Sequence, residues 1–318
     1  MPSTINIGLV GYGGWARKSY VPALFYDSAT KIMAVSARTN ETLAAARKDL
    51  GDDVRLFKDY RELLGLPEID AVMIGTTLPT NTHIGIASLK AGKHVWIEPP
   101  FANTMESEEL FEFAMQSDKI FHTNLELRYL PVVDAIHDLI NPGPLGQLQS
   151  ARVELKNDWG NTQQFDRHIG TAVAGLSTWY LDVIDVFFTD LPNSIDFQGD
   201  DQMKTWSAIL NYRGGKTGEL ALDLTGSDWQ TRLKIECEAG KAEANLIEGI
   251  YGYSIRNGNT ISGKADCIRP KRGFEGVQES VIKFLSAVRG TSETLSGPVT
   301  YQRLHKVLTE FAKQATLD

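Results

Sequence analysis

Two short stretches hold residue types whose spacing could do chemistry. The first, GLVGYGGWA, gives Gly11-x-Gly13-x-x-Ala16 near the start of the chain. Gly11 allows a tight turn, Gly13 lets the backbone approach a pyrophosphate, and Ala16 is small enough for a helix to pack on a strand. Gly14 and Trp15 complete the loop. A helix opening here would turn free N–H groups and the positive end of its dipole toward the phosphates. The second stretch, VWIEPPF at 95–101, reads as a buried strand that runs into a tight turn. A catalytic group is often carried just past such a strand. Here Glu98 is followed by Pro99 and Pro100, and neither ring can donate, accept or hold a proton. Consecutive prolines also stiffen the turn. The stretch is either a site built differently or one that has been emptied.

The elements around these stretches alternate. Ile5–Val10 is an apolar run ending in the glycines. A helix is predicted over 15–26, kinked at Pro22. Strands follow at 31–35, 71–75, 94–98 and 120–123, with helices at 40–50, 59–64, 82–91 and 105–117. Thr39 can cap the helix at 40–50 through its hydroxyl, and Gly92 can end the one at 82–91. Strands separated by helices of about ten residues imply βαβ units and a parallel sheet covered on both faces. The second half reads differently. A helix at 130–139 leads through NPGPLG into alternating segments at 148–155, 203–212, 217–225, 232–239, 241–248 and 252–257. Turns such as Arg213-Gly214-Gly215 separate several of them, so an antiparallel, hairpin-rich sheet is expected. An apolar helix at 172–188 is inserted before it, and helices at 277–289 and 300–315 close the chain. The predicted fold class is an α/β Rossmann domain over 1–124, followed over 125–318 by an α+β domain with an open antiparallel sheet. The last helix could pack back on the first domain.

Cofactor choice is read at the tip of the second strand. A carboxylate there would hold the ribose 2′-hydroxyl of NAD, whereas a nearby arginine accommodates the 2′-phosphate of NADP. The sequence runs Ala34-Val35-Ser36-Ala37-Arg38-Thr39, with no carboxylate at the tip. Ser36, Arg38 and Thr39 can all hydrogen-bond a phosphate, Arg38 with charge assistance. NADP is therefore favoured over NAD. The expected cofactor contacts are Gly11, Gly13, Gly14, Trp15, Ala16, Ser36, Arg38, Thr39, Thr76, Glu98 and Pro99.

Composition sets limits. The chain has 318 residues, 42% hydrophobic and 23% charged, with a formal net charge of −8. That balance suits a folded protein and disfavours nucleic acid or an anionic membrane as partner, since both need a basic surface. The two cysteines, Cys237 and Cys267, form no CxxC and no Cys/His cluster, so neither a disulfide framework nor a metal site is expected. MPSTINIGLV lacks the basic region of a signal peptide, no apolar run reaches a membrane span, and the expected location is the cytoplasm.

Five segments together resemble the Gfo/Idh/MocA family of glucose–fructose oxidoreductase, inositol dehydrogenase and rhizopine-catabolism proteins. They are GLVGYGGWARKSYVPAL at the start, THIGIASLKAGKHVWIEPP at 82–100, NLELRYLP at 124–131, WYLDVID at 179–185 and the closing helices. The resemblance implies a Rossmann domain and an open sheet used for oligomerisation, hence a homodimer or homotetramer. It also implies a small substrate, often a sugar or polyol, lying between nicotinamide and sheet. The family's turn is Glu-Lys-Pro, with the lysine near the nicotinamide and the substrate hydroxyl. Here Glu98 and Pro100 match but the lysine position is Pro99. A second motif places Asp, then His four residues on, then Asp three further. Aligned on WYLD, those positions are Gly175, Trp179 and Asp182, so only the last survives.

Loss of a positioned acid or base costs roughly 10²–10⁴-fold in rate, while orienting donor and acceptor can supply effective molarities of about 10⁵–10⁸ M. Hydride transfer could therefore persist, best with an activated carbonyl or imine. The candidate replacements are Tyr180, His168 and Asp182 as catalytic groups, with Asp166 beside His168 in FDRHIG, read as a loop over the cleft. Glu126, Arg128, Trp159 and Trp179 are candidate substrate contacts, with Asp158 beside Trp159. The indole of Trp179 would fill substrate space or offer a stacking face. Three readings stand: an oxidoreductase with a rebuilt site, a ligand-sensing regulatory protein, and a non-redox lyase or isomerase using Asp166 and His168.

Overall fold

The computed structural model describes residues 4–77, 80–99, 101, 105–161, 163–256, 258–265 and 274–315, with the backbone alone at 163–172, 174, 275 and 315. In chain order the first run is β1 (Ile5–Val10), α1 (Gly14–Lys18), α2 (Tyr20–Leu24), β2 (Thr30–Ser36), α3 (Asn40–Leu50), β3 (Arg55–Phe57), α4 (Tyr60–Leu64), β4 (Ala71–Ile74), α5 (Thr80–Lys90), β5 (His94–Ile97), α6 (Met105–Gln116) and β6 (Phe121–Thr123). The second is α7 (Pro131–His137), β7 (Leu148–Lys156), α8 (Gln163–Phe188), β8 (Ser194–Gly199), β9 (Thr205–Asn211), β10 (Thr217–Asp223), β11 (Gln230–Cys237), β12 (Gly240–Asn245), β13 (Ile250–Ile255), β14 (Ile261–Lys264), α9 (Glu275–Val288) and α10 (Pro298–Ala315). These elements form two units, Met1–Leu125 with Pro270–Gln302, and Glu126–Arg269 with Arg303–Asp318.

The first unit is built on a parallel sheet in the order β3-β2-β1-β4-β5-β6. Such an order is the Rossmann arrangement, and it reverses between β1 and β4. β1, β4 and β5 are almost wholly buried, as strands covered on both faces must be. α9 completes the core: Val277, Val281, Phe284 and Leu285 join Ile7, Leu9, Tyr20, Met73 and Trp96 in one apolar cluster. β3 is a short edge strand with no alternation, which is why pattern alone does not reveal it. The helix predicted over 15–26 is two helices that part at Ser19, not one kinked at Pro22. The Ser19 hydroxyl donates to the Trp15 carbonyl at 2.7 Å. Pro22 then sits in the first turn of α2, where a missing N–H costs nothing.

The second unit carries the sheet β14-β13-β12-β11-β7-β10-β9-β8. It is antiparallel as expected, except that β7 and β10 run parallel. Those two strands are not joined by a hairpin; α8, β8 and β9 intervene, so nothing forces reversal. Strict alternation along β9, β10 and β11 turns Trp206, Leu210, Leu220, Leu222, Leu233 and Ile235 to the buried face. α8 packs on β7 and β10. It is longer than predicted: the helix starts at Gln163, so FDRHIG is helical backbone and not a loop. Neither Gly170 nor Gly175 breaks it, because tertiary packing overrides a cost of about 1 kcal/mol per glycine.

Candidate dinucleotide site and the turn after the fifth strand

The glycine loop has the backbone its sequence requires. Gly11 has φ +91, and a Cβ built on it would meet the Gly75 carbonyl oxygen at 2.6 Å and Thr76 Cγ2 at 3.2 Å. Only glycine fits there. Gly13 and Gly14 differ: a Cβ on either meets nothing within 4 Å among the described residues. The open side of the loop is thus a cradle at the start of α1, and Gly13 is the helix N-cap with no side chain to satisfy the first N–H groups. The loop is anchored below by Tyr20, whose hydroxyl packs at Gly75 and donates to the Gly11 carbonyl at 3.4 Å. It is anchored at the side by Asp49, which accepts from Tyr12 at 3.3 Å and from Arg17 at 2.6 Å. Burial, with the Asp49 charge beside it, pushes the Tyr12 phenol up to about 12, so it stays a neutral donor.

The tip of β2 presents Ser36, buried, then Arg38 and Thr39, exposed. Thr39 caps α3 as expected, accepting from the Thr42 amide at 3.2 Å. Arg38 makes no ion pair or hydrogen bond among the described residues. At the end of β4, the Thr76 hydroxyl is buried and has no partner among the described residues. An orphaned hydroxyl beside the Gly11 turn and an open cradle above Gly13 and Gly14 are features a bound dinucleotide would satisfy.

Glu98 is the first residue past β5 and is almost fully buried. Its backbone is fixed on both sides: its amide donates to the Ile74 carbonyl at 3.0 Å, and its carbonyl accepts from Asn81 Nδ2 at 3.1 Å. Its carboxyl accepts from Trp15 Nε1 at 2.6 Å and from Asn124 Nδ2 at 3.1 and 3.2 Å. No cation among the described residues faces it. Burial pushes it up to about 7, against the pull of the Trp15 and Asn124 donors. Pro99 is buried; Pro100 lies outside the described residues. Trp15 also stacks on Phe274, with ring centroids 5.1 Å apart. The sequence reading missed Asn124 and Phe274 as site residues. Asn124 opens NLELRYLP directly after β6, a signal that was available. Nothing in the sequence ties Phe274 to the glycine loop.

In the second unit the structure brings Arg128 and Asp182 together. Arg128 reaches both oxygens of Asp182, with Nε to Oδ2 at 2.9 Å and a shorter contact from Nη2 to Oδ1, and it touches Asp185 at 3.4 Å. Arg303 holds Asp185 through two contacts of 2.5 and 2.6 Å. This network of two cations and two anions is buried at its centre. Burial raises the Asp182 carboxyl to about 6 against the pull of Arg128. Tyr180 is buried and its phenol is pushed well up, first by burial and then by the Glu126 charge. Glu126, Trp159 and Trp179 are half-buried. The side chains of Asp166 and His168 lie outside the described residues. Asp158 is exposed. His94 accepts from the Ile120 amide at 2.9 Å, and His122 joins Ser280 and Thr294 at 3.0 and 2.7 Å respectively. Among the described residues no group of three or more His, Cys, Asp or Glu could hold a metal, and no helix is long and apolar enough to cross a membrane.

The sheet order, the glycine turn and the cradle define a Rossmann-fold protein of the dinucleotide-binding type. Residues 5–125 match the oxidoreductase family model Gfo/Idh/MocA, described as an NAD-binding Rossmann fold. The match covers the part of the chain that holds the glycine turn and the turn after β5. Among curated proteins it is 30% identical over 164 residues to levoglucosan dehydrogenase of Pseudarthrobacter phenanthrenivorans, covering 49% of this chain and 42% of that one. It is 30% identical over 148 residues to 1,5-anhydro-D-fructose reductase of Ensifer adhaerens, covering 46% and 44%. The chain thus spans less than half the length of these relatives. A bovine trans-1,2-dihydrobenzene-1,2-diol dehydrogenase is 26% identical over 70% of each chain. The fold of the whole chain is shared with two solved structures at 17% identity. UDP-N-acetylglucosamine 3-dehydrogenase from Acidithiobacillus ferrooxidans has a TM-score of 0.83, with 98% and 97% of the chains covered. A levoglucosan dehydrogenase with NADH and L-sorbose has a TM-score of 0.85, with 98% of both covered.

Proposed function

We propose that this chain is an NAD(P)-dependent oxidoreductase that prefers NADPH and acts on a small carbonyl, imine or sugar-like substrate through a non-standard site. The observation that carries the reading is the cradle: Gly13 and Gly14 face open space at a helix start, beside the orphaned Thr76 hydroxyl. The dinucleotide would supply the hydride. The protein's part is to hold the pyrophosphate at Gly13, Gly14 and Trp15 and the 2′-phosphate at Ser36, Arg38 and Thr39. Sugar dehydrogenases and reductases among the relatives support a sugar-like substrate, and Glu126, Arg128, Trp159 and Trp179 are the contacts we assign to it. Tyr180 and Asp182 are committed to the core and to an ion pair, so we give the proton-handling role at the β5 turn to Glu98 and keep His168 as a candidate.

A second reading, a silent sensor of dinucleotide or ligand, is favoured by Pro99 standing where the family carries its lysine. We further propose that the exposed face of the large sheet joins copies into a homodimer or homotetramer. Its surface carries a ladder of opposite charges, including Arg152 with Glu154 and Glu219 at 2.7 Å.

The test is a fluorescence titration of the whole chain with NADPH and NADH. Arg38→Asp should weaken NADPH about 10- to 100-fold, the worth of one charge-assisted hydrogen bond, and leave NADH nearly unchanged. Binding of neither nucleotide would overturn the oxidoreductase reading.

A further inference from the structure

Trp15 stands on the first turn of α1, at the end of β1, and its indole reaches Glu98, just past β5. β4 lies between those two strands. Neighbouring strands are about 4.8 Å apart, so the indole crosses the carboxyl end of β4, above Gly75 and Thr76. A dinucleotide lying over the β1/β4 switch point sends its adenosine half toward β2, where Ser36 and Arg38 stand. Its nicotinamide half must run the other way, over β4 and β5. Trp15 spans that path, stacked on Phe274, and both residues are exposed, at 42% and 52%. Beneath the path the Thr76 hydroxyl is buried and lacks a partner among the described residues.

We propose that Trp15 is a gate on the nicotinamide seat, and that seating a reduced dinucleotide displaces the indole N–H from Glu98 while Glu98 takes up a proton from the buffer. The proposal rests on the dinucleotide reading above. The groups facing Glu98 are Trp15 from α1, Tyr20 from α2, Asn81 from α5 and Asn124 after β6. Tyr20 is fully buried and stays neutral, and none of the four is a cation. Among the described residues the carboxyl therefore has only neutral donors to hold its charge, and it sits at about 7. Removing the indole takes away one donor that favours the anion, and the incoming phosphates bring negative charge toward it. Both changes favour the protonated form. The sign follows: NADPH binds more tightly as pH falls through about 7 and loses up to about tenfold per unit above it.

The measurement is fluorine NMR of the whole chain labelled with 5-fluorotryptophan, which has six tryptophans, together with calorimetry of NADPH binding in two buffers of different ionisation heat. Trp15→Phe identifies the Trp15 resonance by its loss. That resonance should move most on adding NADPH. Glu98→Gln should bind without proton uptake and with a flat profile from pH 6 to 9. NADPH binding that leaves the Trp15 resonance no more shifted than the others, or proton uptake that survives in Glu98→Gln, would overturn the displacement while leaving the dinucleotide reading intact. If neither NADPH nor NADH binds the wild type or Trp15→Phe, the dinucleotide reading fails and the gate with it.

Discussion

The single carboxyl of Glu98 shows how burial, and not residue type, sets chemistry. A glutamate with no cation among its described neighbours and only indole and amide donors has an ionisation raised from 4.5 to about 7. The fold then binds a proton that the unfolded chain does not. Its contribution to stability is fully present below about 4.5 and is lost as pH rises through about 7. The shift corresponds to about 3 kcal/mol. Glu98→Gln, which removes the charge, should therefore gain stability over the wild type by up to that amount at pH 8, and the gap should close at pH 5. Urea unfolding at both pH values checks this; a gap that does not change with pH would assign the shift elsewhere. Asp182 is the contrasting case. Its charge is matched by Arg128 on both oxygens, so Asp182→Ala takes that carboxylate away from a buried guanidinium. Loss of one partner of a buried pair costs about 3–5 kcal/mol. The variant should unfold at correspondingly lower urea.

At the scale of the element, the glycine loop separates what the fold needs from what a ligand needs. Gly11→Ala places a Cβ 2.6 Å from a backbone oxygen in a left-handed conformation. It should cost about 1–3 kcal/mol of stability and misplace the loop. Gly13→Ala has ordinary extended backbone, φ −77 and ψ −176, and open space. It should melt within a degree or two of the wild type yet bind NADPH at least tenfold more weakly, because the methyl group fills the cradle. Paired melting curves and titrations of the two variants distinguish the roles. If Gly13→Ala bound NADPH as well as the wild type, the cradle would not be the phosphate site. α8 teaches a related lesson. FDRHIG reads as a loop because polar residues precede the apolar run, whereas the structure continues the helix through them. Polar residues at one end of an amphipathic helix do not mark its boundary.

At the scale of the molecule, the first unit is not one stretch of chain. Its core is closed by α9, which arrives after the whole second sheet. Val277, Val281, Phe284 and Leu285 are each about 1% exposed or less. Burying four such side chains contributes roughly 6–12 kcal/mol at about 1.5–3 each, comparable with the total stability of a domain. A fragment ending at Leu125 should therefore fail to unfold cooperatively, and circular dichroism on heating would show a broad, shallow change. A sharp transition near that of the full chain would mean that α9 is dispensable.

Much of this was legible in order along the chain. The glycine spacing, the strand and helix alternation, the cap at Thr39 and the hairpin-rich second half depend on local sterics and on which face of an element is apolar. Those are properties of short windows of sequence. The sequence alone also determined that Pro99 cannot carry a proton and that no carboxylate stands at the tip of β2. Only tertiary structure decided that Trp15 meets Glu98, that Asn124 and Phe274 join them, and that Asp182 is spent on Arg128. Each of those contacts is made between residues far apart in the chain, where the pairing depends on strand order and packing. Strand order also places Glu98 under protein on every described side, and that loss of water is what moves its proton.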